Sequence, residues 1–191
     1  MGRANHGECA ARLTQTECFA VILHGLPPLI TPNTRVLILG SFPGVKSLQT
    51  QQYYGHQQNN FWKLIFSIVF KEKSALSRQE YSVDCYEKRS DRLLNVGIGL
   101  WDVYASCERE GSLDSAIRNA QLNDLAALRE RCPNLQAIAH NGGESYAHAK
   151  HTQALGLPVY KLPSSSPANA SWSFERKLQA WQKALAPHLS L

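Results

Sequence analysis

Closely spaced cysteine pairs are missing from this sequence. Its 191 residues hold five cysteines, Cys9, Cys18, Cys85, Cys107 and Cys132, at irregular intervals and with no C-x-x-C unit. An odd, scattered set argues against a disulfide scaffold, a zinc ribbon and a cysteine-ligated iron–sulfur cluster. Reduced thiols in a cytoplasmic protein are the expectation. Long apolar runs are missing too. None approaches the ~20 residues that a membrane-spanning helix requires, so no membrane partner is expected. Residues 1–17 are polar and interrupted by charges, without the apolar centre of a secretory signal. A G-x-S-x-G nucleophile elbow is absent, as are internal repeats and low-complexity tracts. Charged residues are 18% of the chain against 43% hydrophobic, which suits a globular protein and not a disordered one. The length fits one domain with a proper core. A net charge of +5 favours a polyanionic partner, but it equally fits a basic protein that binds no nucleic acid.

What is present is an alternation of short apolar runs and helical patterns. Prolines at 27, 28 and 32 force residues 25–33 into an extended path. Residues 35–41 are a continuous apolar run ended by glycine, the pattern of a buried parallel strand. Residues 99–105, 135–141 and 158–163 read as further strands. Between them lie helical patterns at 61–70, 77–94, 123–131 and 144–155. In the first of these Lys63 and Ser67, four apart, share one polar face. At the C-terminal end Phe174, Leu178, Trp181 and Leu185 recur at spacings of four, three and four, one apolar stripe of a helix. Strands alternating with helices predict a parallel sheet covered on both faces. Such sheets bind ligands beyond the carboxyl ends of their strands, which singles out two loops, residues 40–59 and 164–170.

The first loop opens Gly40-Ser-Phe-Pro-Gly44-Val-Lys46-Ser47. It lies near a phosphate-binding P-loop but has three residues between its glycines instead of four, and Val45 separates glycine from lysine. Tyr53, Tyr54, His56, Asn59 and Asn60 then place aromatic rings beside amides and an imidazole. That set suits a flat heterocycle, with rings on its face and amides at its edge. The same residues also fit plainer roles, an Asn as helix N-cap and tyrosines as core lining. The second loop sets small polar residues between Pro163 and Pro167, able to hold phosphate oxygens or simply to join strand to helix with Ser171 as cap. Asp102, after Trp101 at a strand end, is either a pocket carboxylate or a surface ion-pair member. His148 and His151 have metal-ligand spacing on a helix, but no third ligand stands near them in sequence. No metal and no cofactor are expected.

Taken in order, Leu37-Ile-Leu-Gly-Ser-Phe-Pro-Gly44, Tyr53-Tyr-Gly-His-Gln-Gln-Asn59-Asn-Phe-Trp62, Gly99-Leu-Trp-Asp-Val103, Gly111-Ser-Leu-Asp-Ser115, His140-Asn-Gly142 and Ser164-Ser-Ser-Pro-Ala-Asn-Ala170 resemble the uracil-DNA glycosylase superfamily, and within it the hypoxanthine-DNA (deoxyinosine) glycosylase family. The resemblance implies an α/β fold, a three-layer α/β/α sandwich around a four-stranded parallel sheet. Residues 25–191 would form a single glycosylase domain and residues 1–24 an extension outside it. It implies monofunctional hydrolysis of the N-glycosidic bond of a deaminated base flipped out of damaged DNA. Hypoxanthine is the first expectation. Uracil or xanthine excision, or a non-catalytic nucleic-acid-binding module, are the alternatives. A monomer in the cytoplasm is expected.

The resemblance also assigns residues. In the related mismatch-specific uracil glycosylases a catalytic Asn stands where this chain has Phe42, and the working amide of the hypoxanthine family matches Asn59. Tyr54 matches the aromatic that stacks on the base. Ser41, Phe42, His56 and Asp102 complete the expected base site. Gly44, Ser164, Ser165, Ser166, Pro167, Ala168 and Asn169 match segments that grip the DNA, and the loop of residues 164–169 matches the one that holds the backbone and enters the minor groove. The family carries proline after the histidine, whereas this chain has Gln57, which loosens the loop leading to Asn59.

Overall fold

The computed structural model describes residues 21–69 and 86–189. Four parallel strands form its central sheet, β2 (Val36–Gly40), β3 (Ile98–Asp102), β6 (Ala137–Asn141) and β7 (Val159–Leu162), in the order β3-β2-β6-β7. All residues of β2 and β3 are buried, as expected of strands with both faces covered. Alternation along β2 sorts the core into two. Val36 and Ile38 face one cluster, with Phe61, Leu64, Ile68 and Trp181. Leu37 and Leu39 face the other, with Val103, Leu128 and Ile138.

Helices α2 (Phe61–Val69), α3 (Tyr86–Asn95) and α7 (Phe174–Leu185) supply the first cluster. In α2 only Lys63 is exposed and Ser67 half-exposed, the polar face its spacing predicted. In α7, Trp181 and Leu185 are buried and Phe174 and Leu178 pack partly against the same core. Its N-cap is Ser173, whose hydroxyl accepts from Arg176 N–H, and not Ser171, which donates instead to Asn169 Oδ1 at 3.0 Å. The predicted helix over 77–94 appears as α3 from Tyr86 onward, and its first part lies outside the described residues.

The opposite face departs from expectation. The strand predicted over 99–105 divides at Val103, whose N–H donates to Gly40 O. The chain then leaves the parallel sheet as β4 (Tyr104–Glu108), which pairs antiparallel with β1 (Ile22–His24) and β5 (Arg118–Leu122). Pairing through β1 thus begins at Ile22, before Gly25; residues 1–20 of the extension expected over 1–24 lie outside the described ones. The helix predicted over 123–131 shrinks to α4 (Leu128–Arg131), because Asp124 Oδ1 accepts from the Ala126 and Ala127 N–H groups in a turn that competes with helix. The helix predicted over 144–155 breaks at His148 into α5 (Gly143–Tyr146) and α6 (Ala149–Gln153). The sandwich thus has one wholly helical layer and one of short helices and an antiparallel sheet. A short helix, α1 (Val45–Thr50), follows β2.

Among the described residues no helix is long and apolar enough to cross a membrane. Cys107 and Cys132 are buried free thiols.

Candidate functional site

The parallel strands end in residues unlike those that precede them. β2 ends at Gly40, β3 at Asp102 and β6 at Asn141, and all three line one cavity of about 600 Å³ at the carboxyl edge of the sheet. β2 lies between β3 and β6, with strands leaving in both directions from it. That is the switch point where open parallel sheets leave a crevice.

Gly40 and Asp102 are register partners across β2 and β3. Asp102 Oδ1 occupies the place that a Cβ on residue 40 would take, so any other residue at 40 would displace this carboxyl. Asp102 is buried, and its Oδ2 has no hydrogen-bond partner. Burial, followed by the negative charge of Asp114, pushes its pKa from 3.8 up to about 7, while the Arg109 guanidinium pulls the other way. Arg109 is itself buried, donates to Pro43 O and lies with Cζ 5.0 Å from the centre of the Phe42 ring. Ser41 Oγ donates to Asp114 Oδ1 at 2.7 Å, so its hydroxyl proton is already committed.

Tyr54 stands on the other wall. Its backbone is left-handed, φ 54°, a conformation that costs a non-glycine residue about 1 kcal/mol or more. One face of its ring stacks on Phe61, centroids 3.8 Å apart. Its hydroxyl accepts from Asn141 Nδ2 at 3.1 Å. Asn141 also donates to Ser165 Oγ at 2.9 Å and accepts from Ser165 N–H at 2.9 Å. One side chain thereby ties the end of β6 to both loops. Asn141→Ala is expected to destabilise the fold by about 2–3 kcal/mol, because the fully buried Ser165 loses its partners; urea unfolding measures it.

Asn59 Oδ1 accepts from Phe61 N–H at 2.9 Å, opening α2, and its own N–H donates to His56 O. Asn59 lines the cavity, with its Nδ2–H outside this bond. His56 is exposed at the rim, its Nδ1 accepting from Gln58 N–H. Phe42, largely buried, forms an apolar wall.

Ser164, Ser166, Pro167, Ala168 and Asn169 line the same cavity as Gly44 and the base-site candidates, while Ser165 points inward to Asn141. The loop is braced from within: Ser166 N–H donates to Ser164 Oγ, Ala168 N–H to Ser166 Oγ, and Asn169 Nδ2 to Ser164 O. The buried Lys177 adds a bond from Nζ to Asn169 O at 2.9 Å.

The structure thus gathers the candidates from both loops and Asp102 around one cavity, with Ser165 holding the loop from behind. It adds Asn141, Asp114 and Lys46 to the lining and sets Arg109 behind it against Phe42 and Pro43; none of the four was assigned to the site from the sequence. Asn141 did carry a signal: a polar amide ends an apolar strand just before two glycines. His148 lies elsewhere, its Nε2 2.7 Å from Tyr104 Oη, which donates to Glu144. Among the described residues no group of three or more His, Cys, Asp or Glu could hold a metal ion.

Residues 27–185 match the family model of the uracil DNA glycosylase superfamily. The chain is 36% identical over 160 residues to a protein of Methanosarcina barkeri named hypoxanthine DNA glycosylase, covering 84% of this chain and 96% of that one. A Methanosarcina acetivorans protein of the same name is 36% identical over 162 residues, 85% of this chain and 97% of its own. A solution NMR structure from Methanosarcina acetivorans, described as a candidate uracil DNA glycosylase, superposes with a TM-score of 0.72 at 34% identity, covering 86% of this chain and 99% of that one.

Proposed function

The chain belongs to the uracil DNA glycosylase superfamily, and on that footing we propose that it is a DNA glycosylase that removes hypoxanthine from deoxyinosine. One arrangement carries the reading: the Tyr54 ring, the Asn59 amide and the Asp102 carboxyl line one cavity. Its volume falls within the roughly 300–1,000 Å³ of ordinary ligand clefts. The names borne by the Methanosarcina relatives support the choice of base.

In this reading the chain binds damaged DNA as a monomer. The loop of residues 164–169 and Gly44 hold the backbone, with Lys46 at the rim adding a cation for a phosphate. The damaged nucleotide rotates out of the stack at a cost of a few kcal/mol. Hypoxanthine stacks on Tyr54 against Phe42. The bond from C1′ to N9 then breaks, its electron pair leaving with the base, and the sugar becomes an oxocarbenium ion. Asn59 offers Nδ2–H as a donor, while its Oδ1 already accepts from Phe61 N–H. That donor bonds an acceptor of the departing base, where negative charge develops. Asp102, on the cavity wall, faces the edge of the base, where its carboxylate accepts from N1–H. Water adds its oxygen to C1′, its proton leaves to solvent, and the base takes up a proton. The product is free hypoxanthine and an abasic site in an unbroken strand.

The test incubates the pure protein, in EDTA, with labelled duplexes carrying one deoxyinosine, deoxyuridine or deoxyxanthosine, followed by alkaline cleavage. Release at inosine above the others is expected. Preference for uracil or xanthine moves the substrate within the same chemistry. DNA binding without release of any base overturns the enzymatic reading.

A further inference from the structure

Helix α7 holds the 164–169 loop at both of its ends. Trp181 Nε1 donates to Pro163 O at 2.9 Å, and Lys177 Nζ donates to Asn169 O at 2.9 Å. The two side chains stand four residues apart, one turn along the same helix face. Between those ends Ser165 turns inward to Asn141. The loop is therefore fixed at both ends and in the middle, and Ser166, Pro167 and Ala168 line the cavity from it.

The two anchors on α7 differ in chemistry. Trp181 is an apolar body with one N–H, suited to a core. Lys177 carries an ammonium, yet only 2% of the residue is exposed. Lysine is almost never fully buried unless paired. Among the described residues this ammonium bonds one carbonyl and pairs with no carboxylate. Burial pulls its pKa below the usual lysine value, and no neighbouring charge contributes. A neutral donor, such as the indole one turn away, holds a carbonyl without the penalty of burying a charge. What a neutral donor cannot do is set positive charge behind a loop. Placed out of water, that charge is also little screened by salt.

We infer that Lys177 is a positioning residue for DNA: its ammonium fixes the 164–169 loop through Asn169 O and lends that loop positive potential for a phosphate of the damaged strand. This rests on the reading that the loop holds the DNA backbone. Lys177 does not line the cavity, so it acts through the loop and not on the base.

The experiment uses the full chain, wild type and Lys177→Met, which keeps an unbranched stem and removes the charge. Lys183→Met is the control, since it takes the same charge from an exposed position on the same helix. Fluorescence anisotropy reads binding to a labelled duplex carrying 2′-fluoro-deoxyinosine, whose fluorine disfavours the oxocarbenium ion and keeps the base attached. The linkages flanking the lesion are either natural phosphates or neutral methylphosphonates. Lys177→Met is expected to bind the natural duplex about tenfold more weakly than wild type, and Lys183→Met as wild type does. On the methylphosphonate duplex Lys177→Met and wild type should bind alike, because no phosphate charge is left for the ammonium to act on. Hypoxanthine release from ordinary deoxyinosine at saturating enzyme should keep its wild-type rate, and Tm should stay within a few degrees, since an apolar stem replaces a buried charge. A tenfold gap that persists on the methylphosphonate duplex, or a variant that fails to fold, makes Lys177 a brace of the fold and overturns its electrostatic role. Undiminished binding by Lys177→Met overturns it too, as does an equal loss in Lys183→Met, which would leave net charge as the cause. If wild type releases no hypoxanthine from deoxyinosine, the glycosylase reading falls, and the anisotropy comparison still decides the role of Lys177.

Discussion

Asn59→Asp is expected to keep the fold and to lose about 100-fold or more in the rate of hypoxanthine release. The two halves of that statement follow from the two ends of one amide. Oδ1 accepts from Phe61 N–H at 2.9 Å and opens α2; a carboxylate accepts there as well, and Asp and Asn are equally good at a helix N-terminus. Nδ2, the donor outside that bond, has no counterpart in aspartate, which would instead present negative charge to a base acquiring negative charge. Asn59→Ala confuses the two effects, since losing the bond to Phe61 N–H costs about 1 kcal/mol on its own. Thermal unfolding of Asn59→Asp should match wild type within a few degrees, and duplex binding should be nearly intact. Single-turnover release of hypoxanthine measures the loss. Wild-type turnover in Asn59→Asp would remove Asn59 from the reaction and leave it only its bond to Phe61 N–H.

The parallel sheet was legible because β2, β3 and most of β6 are buried, so each is written as a largely apolar run that needs no knowledge of its neighbours, while the half-exposed β7 stands out as a short run between Pro158 and Pro163. The antiparallel sheet was not. β5 reads Arg-Asn-Ala-Gln-Leu and is mostly exposed, so no alternation of apolar and polar residues marks it. β4 continues directly from β3, and only the bond from Val103 N–H to Gly40 O shows where one sheet gives way to the other. For the cavity, the loops announced themselves by glycine, proline, amides and aromatics. The electrostatics did not. Asp102 at a strand end suits a surface ion pair as readily as a buried carboxyl, and what distinguishes the two is Gly40 opposite it in register. Arg109 and Asp114, which set the charge around Asp102, are 7 and 12 residues further along and reach it through a chain reversal no local pattern encodes. Ser165 illustrates the opposite limit: in sequence it is one of three equivalent serines, and only packing turns it inward.

Asp102→Asn is expected to make the protein more stable and less discriminating at once. Asp102 titrates near pH 7 in the folded chain and near 3.8 when unfolded, with burial the leading cause. A folded-state pKa above the unfolded one means that the folded chain holds the proton more tightly. The penalty of charging this group is therefore absent below pH 3.8, grows as pH rises, and is complete above pH 7. Its full size is of the order of 4 kcal/mol. The amide never charges, so the stability gained in Asp102→Asn should be near zero at pH 4 and rise to a plateau above pH 7, read as a pH-dependent difference in Tm. A cost that large suggests that the charged form has work to do, and base chemistry says which. Hypoxanthine carries N1–H, a donor that a carboxylate accepts, whereas adenine turns a lone pair at N1 toward the same place. The protonated acid loses that contrast, because its O–H can donate to adenine N1 while its carbonyl accepts from the exocyclic amine. An asparagine loses it in the same way. Hypoxanthine release by wild type should therefore rise about tenfold per pH unit up to pH 7 and then level off. In Asp102→Asn the profile should be flat across that range, and adenine-containing DNA should compete better for binding. An unchanged pH profile together with an unchanged Tm difference between pH 4 and 8 would mean that Asp102 is not the charged group facing the base, and that rejection of adenine must come from the shape of the cavity alone.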